Sequence, residues 1–244
     1  MTILLLAGTA EARKLSHRLS GRADLVSSLA GATDVPLALG GKLRMGGFGG
    51  VDGLQGFLRD NGVKLLVDAT HPFAAQMSRH AHEAAENTGL PLLQILRPPW
   101  PEDPNWTMVS DLTAAADALA TGTTAFLATG RGSVPNFQHR RDVDFVLRVI
   151  DDKPGQFPLA RGRFLCSRPP FTVEQEIETL REHAIDVLVS RNAGGRGGTE
   201  KLDAAQSLGI PVIMAQRPEL PCADRVETVD AAMDWLARHG WLDA

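Results

Sequence analysis

The sequence has no tyrosine, and its 9 phenylalanines and 4 tryptophans bring aromatics to only 5% of 244 residues. So few rings do not make a surface that stacks bases along a nucleic-acid strand, and no mechanism can use a tyrosine as its acid. A basic excess is also missing. Lys plus Arg number 25 against 29 Asp plus Glu, a net charge of −4, so a polyanionic partner would have to meet a local cluster of cations. Cys166 and Cys222 stand too far apart for a C-x-x-C redox or zinc pattern, and the expectation is two small buried hydrophobes in a reducing cytoplasm. The apolar run at 3–7 is too short for a signal peptide and is followed at once by Glu11, Arg13 and Lys14. No stretch approaches the roughly 18 apolar residues of a membrane span, so no membrane partner is expected.

What is present is 43% hydrophobic residues, enough for a core of ordinary size, arranged as short apolar runs alternating with helix-period segments. Strands are expected at 3–7, 25–30, 65–69, 92–96, 124–128, 145–150, 186–190 and 211–215. Helices are expected at 10–20, 51–61, 73–88, 112–120, 173–183, 200–208 and 229–239. The strands are continuously apolar, which implies parallel sheets covered on both faces.

An internal repeat sets the domain count. Residues 84–98 read AAENTGLPLLQILRP and residues 204–218 read AAQSLGIPVIMAQRP, aligning without a gap and sharing a terminal Arg-Pro. Helix-Gly-x-Pro-strand is common αβ punctuation, but the shared ending favours duplication. A Pro-rich stretch, Arg97-Pro98-Pro99-Trp100-Pro101-Glu102-Asp103-Pro104, can continue neither a helix nor a central strand and marks the boundary. The fold class is therefore α/β: two Rossmann-like parallel-sheet domains, 1–103 and 104–244, facing a central cleft, with ligands at the switch points of both sheets.

Several strand-end loops carry chemistry. Gly8, Thr9, Ala10 and Glu11 lead from the first strand into a helix, where exposed amides and the Thr9 hydroxyl suit an anion. Gly31 follows the second strand, where an adenosine ribose is usually met, and it is equally a simple turn residue. Eight of the 24 glycines fall at 40, 41, 46, 47, 49, 50, 53 and 56. Gly47, Phe48 and Gly49, with Arg44 just before them, read as a slot or flap for a large flat ligand. Thr70 and His71 stand at a further strand end, the histidine as a proton donor or a positioning group. His80 and His82 face different sides of a helix, and no metal site is expected.

In the second half Arg131 repeats the strand, glycine, helix-start logic with a cation added. The segment from Arg191 through Gly195 and Arg196 to Thr199 and Lys201 combines an amide nest with cations suited to phosphate or carboxylate. It lacks the G-K-[ST] ending of a P-loop.

The ordered set LAGTAEAR, GGFGG then DGL, DATHPFA, the ATG turn, and GTEKLDAA followed by GIPVI and RP resembles the precorrin-6A reductase family of cobalamin biosynthesis over nearly the whole chain. The resemblance implies a hydride passed from NADPH to one carbon of the precorrin-6A macrocycle, with a proton to its neighbour, giving precorrin-6B. It also implies two Rossmann-like domains with cofactor and tetrapyrrole between them. Cofactor residues would be Gly8, Thr9, Ala10, Glu11, Gly31, Thr70, Arg191, Gly195, Thr199 and Lys201. The substrate's carboxylate arms would meet Arg44, Gly47, Phe48, Gly49 and Arg131. With no tyrosine for a Tyr-Lys acid, such a reductase depends on alignment and another proton source. Hand-over to other corrin-pathway enzymes is a further expectation. Two other classes remain open on the residues: a non-catalytic dinucleotide-sensing module, and a methyltransferase of the same pathway.

Overall fold

The computed structural model describes residues 1–30, 38–150, 155–195 and 197–242. They form two compact units. The first comprises Met1–Pro98 and Glu219–Ala244, the second Pro99–Pro218.

In the first unit β1 (Thr2–Leu6), β2 (Asp24–Leu29), β3 (Lys42–Met45), β4 (Val63–Asp68), β5 (Leu92–Ile95) and β12 (Asp224–Val226) form one sheet in the order β12-β5-β4-β1-β2-β3. Every pairing is parallel. Counted from its own first strand this is 3-2-1-4-5-6, the doubly wound order whose direction reverses between β1 and β4. Ile3 and Leu5 point into the layer formed by α1 (Ala10–Leu19) and α8 (Val229–Arg238), while Leu4 and Leu6 point into that of α2 (Val51–Asp60) and α3 (Ala75–Thr88). Burial on both faces explains why β1 reads as an unbroken apolar run.

The second unit repeats the plan with β6 (Trp106–Val109), β7 (Thr124–Leu127), β8 (Asp144–Val149), β9 (Gly162–Cys166), β10 (Val187–Arg191) and β11 (Val212–Ala215), ordered β6-β11-β10-β7-β8-β9 and again all parallel. The helices α4 (Leu112–Asp117) and α5 (Val134–Phe137) cover one face, α6 (Val173–Glu182) and α7 (Glu200–Leu208) the other. Both copies of the sequence repeat occupy the same place in the plan, α3–β5 and α7–β11. Both of these helices end on a left-handed glycine, Gly89 (φ 67°) and Gly209 (φ 66°).

The sixth strand of the first sheet departs from the expected split at residue 103. After β5 the chain supplies β6 to the second unit's sheet, and after β11 it returns β12 to the first. The return is well bonded. Asp224, Arg225 and Val226 pair with Leu93, Gln94 and Ile95, and α8 buries Ala232, Met233, Trp235 and Leu236 while Arg18 pairs with Asp230. The C-terminal residues from Glu219 on therefore belong to the first unit.

Eight strands were expected and twelve are present among the described residues; the additional β3, β6, β9 and β12 are the four sheet edges. Both cysteines are free and exposed, against the expectation of burial: Cys166 closes the edge strand β9 and Cys222 lies in the loop before β12. Among the described residues no helix is long and apolar enough to cross a membrane.

Candidate active site

The switch point of the first sheet joins the loops after β1 and β4. Thr9, extended at φ −128° and ψ 167°, caps α1: its Oγ1 accepts the Ala12 amide and donates to the Ala69 carbonyl at 2.8 Å. That hydroxyl is committed within the protein, which corrects its expected role as a donor to an anion. The amides of Ala10 and Glu11 remain as first-turn donors of the helix. Gly8 adopts φ +155°, and a Cβ there would come within 3.9 Å of the Thr70 and His71 backbone. The Glu11 carboxylate pairs through Oε2 with Arg97 Nη1 at 2.7 Å.

Asp68, which the sequence reading passed over, organises the other loop. It is 2% exposed and its Oδ1 accepts the Thr70 amide (3.0 Å) and hydroxyl (2.7 Å). Its Oδ2 accepts Ser78 Oγ (2.6 Å) and Gln94 Nε2 (3.2 Å), and Gln94 Oε1 in turn accepts Arg225 Nε from β12. Because the Thr70 proton is spent on Asp68, Thr70 meets a ligand as an acceptor only. His71 Nδ1 accepts the Phe73 amide at 3.2 Å, which assigns the ring proton to Nε2. Nε2–H is then the ring's donor toward a ligand, as either of the roles expected for His71 requires.

The glycine loop follows β3 at the edge of the same sheet. Gly46, Gly49 and Gly50 take φ of 101°, 80° and 95°, and a Cβ on any of them or on Gly47 would meet nothing within 4 Å. Arg44 donates to the carbonyls of Gly46 and Gly47 and to Ser28 Oγ, and its guanidinium lies 3.8 Å from the Phe48 ring centroid. Thus Arg44 first builds the loop. Among the described residues it has no carboxylate partner, and burial pushes its pKa down, so an anion beside it would restore lost stabilisation. The glycines here separate by experiment. Gly53→Ala would place a Cβ 1.7 Å from the Phe48 carbonyl oxygen and should cost about 1–3 kcal/mol of unfolding free energy. Gly47→Ala should leave thermal stability unchanged while raising KM if a ligand approaches the loop; equal melting shifts for the two variants would refute this division.

In the second unit the switch point lies between β7 and β10. Gly130 (φ +77°) ends the β7 loop, and Arg191 reaches it, its Nη2 lying 4.0 Å from where a Cβ would stand. Arg131 lies 4.9 Å from the Phe164 ring centroid. Thr199 precedes α7 without a side-chain cap bond. Lys201 Nζ donates to the Gly198 carbonyl, and burial holds its ammonium down to about 8, with Arg148 and Arg191 pushing the same way and Glu176 and Glu200 opposing. Burial lowers Arg191 as well. Desolvated cations beside a glycine-rich segment are chemically suited to an anion. The expected cofactor residues thus divide between the units: Gly8, Thr9, Ala10, Glu11 and Thr70 in the first, Arg191, Gly195, Thr199 and Lys201 in the second. Gly31 and Arg196 lie outside the described residues.

Residues 2–237 match the family model described as precorrin-6x reductase CbiJ/CobK. The chain belongs to this family. It is 43% identical over 242 residues to the precorrin-6A reductase of Rhodobacter capsulatus, covering 98% of this chain and 96% of that protein. It is 44% identical over 240 residues to that of Rhodococcus erythropolis, covering 96% of each. The cobalt-precorrin-6A reductase of Priestia megaterium is 30% identical over 234 residues, covering 89% of this chain and 91% of that protein. A solved structure, CobK precorrin-6A reductase, superposes with a TM-score of 0.91 at 42% identity, covering 98% of this chain and 97% of that one. Family membership makes the chain an oxidoreductase of the precorrin-6A reductase class in cobalamin biosynthesis, with a tetrapyrrole as its small-molecule substrate.

Proposed function

We propose that the chain reduces metal-free precorrin-6A to precorrin-6B with NADPH, acting in the cytoplasm. The observation that carries this reading is the doubly wound 3-2-1-4-5-6 order of the first sheet, which brings Gly8–Glu11 and Thr70–His71 together at one switch point. A dinucleotide fits there: Gly8 adds no side chain, the Ala10 and Glu11 amides meet the pyrophosphate, and Thr70 accepts from a ribose hydroxyl or carboxamide N–H. When bound, NADPH supplies the hydride. The chain's own residues bind, orient and exclude water, with His71 Nε2–H as a positioning donor and Arg44, over Phe48, beside a carboxylate arm. The Lys201 segment of the second unit takes an anionic group, a carboxylate or a phosphate.

The metal-free substrate is supported by the pattern of identities. Relatives named precorrin-6A reductase share 40–44% of residues with this chain, those named cobalt-precorrin-6A reductase 26–30%. The test is incubation of purified protein with NADPH and either macrocycle. The expected result is cofactor oxidation matched by a gain of two hydrogens in the product mass, faster with the metal-free ring and with NADPH than with NADH. Dinucleotide binding without turnover would instead mark a sensing module, and binding of adenosylmethionine a methyltransferase.

A further inference from the structure

Trp100 lies at the start of the second unit, is 8% exposed and packs in its core beside Leu202, while its hydrogen bonds go to Asn192 and Gly195. The Asn192 side chain brackets its backbone: Oδ1 accepts the Trp100 amide at 2.8 Å and Nδ2 donates to the Trp100 carbonyl at 3.0 Å. The indole Nε1–H donates to the Gly195 carbonyl at 2.8 Å. The ring face lies beside Gly198 (φ +91°), where a Cβ would come 3.7 Å from two indole carbons and 3.1 Å from Lys201 Nζ. Lys201 Nζ itself stands 5.2 Å from the ring centroid. Asn192 is anchored independently, its amide donating to Ala215 and its carbonyl accepting Arg217 Nε.

We infer that Trp100 is a positioning residue for anion binding in the second unit: with Asn192 it fixes the glycine segment and walls the Lys201 ammonium from water. This rests on the pocket being a ligand site, as proposed above. A packing role alone would also give the indole N–H a partner, but it would not need the ring face to lie beside both Gly198 and the ammonium. Among the described residues the charged groups acting on Lys201 are Glu176 of α6, Arg148 of β8, Arg191 of β10 and Glu200 of α7. The indole lies beside the ammonium, 5.2 Å from Nζ to the ring centroid, so removing the ring should admit water and raise the ammonium's pKa toward its ordinary range.

The test compares Trp100→Ala, Trp100→Phe and Lys201→Met in the full-length enzyme. The expected result for Trp100→Ala is a KM raised by about tenfold or more with a smaller change in kcat, from loss of an ordered charged contact. Its alkaline limb, near pH 8 in the unaltered protein where binding fails as Lys201 loses its proton, moves upward. Trp100→Phe keeps the wall and should stay within about threefold, losing one hydrogen bond to a neutral carbonyl. Comparing NADPH, NADH and the tetrapyrrole identifies the anion, since only its bearer loses affinity. A Trp100→Ala enzyme with lowered melting temperature but unmoved KM and pH limb overturns the inference. Unchanged binding in Lys201→Met overturns the pocket reading itself. If Trp100→Ala does not fold, a variant with Trp106, Trp235 and Trp241 replaced by Phe leaves Trp100 as the sole emitter. Its fluorescence should shift on ligand titration, and constant emission with bound ligand refutes the role.

Discussion

Asp68→Ala is expected to lower the unfolding free energy by about 3–5 kcal/mol and to cut kcat/KM by at least about tenfold. Truncation strands four donors at once. Thr70, half-buried, can turn its amide and hydroxyl to water, but Ser78 and Gln94 are each 4% exposed and cannot. Unpaired buried donors cost about 1–3 kcal/mol each, so two of them account for most of the loss. Set against a total stability of about 5–15 kcal/mol, this brings the unit close to unfolding at physiological temperature. The catalytic loss follows from the same bonds, because Thr70 no longer has a fixed proton and the loop carrying His71 no longer has a fixed start. Asp68→Asn retains one acceptor oxygen and should fall between Asp68→Ala and the unaltered enzyme. Urea denaturation of the variants beside Ser78→Ala checks the assignment: if Asp68→Ala costs no more than Ser78→Ala, the network is not held by its carboxylate.

The second large effect lies in the other unit. Arg148 and Glu176 form a two-pronged pair (2.6 and 2.9 Å), their side chains 12% and 3% exposed, with the guanidinium between Phe126 and Phe171 at 4.8 and 4.3 Å. Glu176→Ala leaves that cation buried and uncompensated, and about 3–5 kcal/mol of stability should be lost. Replacing both partners, Arg148→Met with Glu176→Leu, should restore stability to near the starting value, since each ion's desolvation is then removed along with the pair. A double variant no more stable than Glu176→Ala would refute this.

The pair also touches function through Lys201, whose proton Glu176 favours and Arg148 opposes. Glu176→Ala should therefore move the alkaline limb of anion binding below about pH 8, while the double variant, losing both influences, should leave it nearly in place. The same shift fixes the sign of the stability profile. The unfolded chain keeps the Lys201 proton up to its ordinary 10.5 and the folded chain only to about 8, so the cost of burying the ammonium is present below pH 8. That cost disappears as pH rises from 8 to 10.5.

The interior of both sheets was legible in the sequence because strands covered on two faces are mostly apolar, as 3–7 and 212–215 are. The edges were not legible. Lys42–Met45 is mostly exposed and Asp224–Val226 is a strand of three residues with no apolar run. The candidate site divides in the same way. Gly8, Thr70, Arg191 and Lys201 stood out by residue type and position after a strand, but the partners that decide their chemistry lie far along the chain. Asp68 receives Gln94, Arg97 takes Glu11, and Asn192 brackets Trp100 across 92 residues. The repeated Arg-Pro ending did mark Arg97 and Arg217, yet the two copies act differently. Arg97 neutralises a carboxylate, whereas Arg217 donates to the carbonyls of Asn192 and Ala193.

By itself the sequence determined a duplicated parallel α/β architecture, the strand-end loops that make up the candidate site, and, through its ordered motifs, the family. Periodicity and residue type suffice for these, because hydrophobic burial and turn chemistry act over a few neighbouring residues. Only the tertiary structure decided that β6 completes the second sheet and β12 the first, and which hydroxyls and cations remain for a ligand. An edge strand is chosen by backbone hydrogen bonds, which carry no side-chain signature, and a polar group's availability depends on partners that folding alone brings within reach.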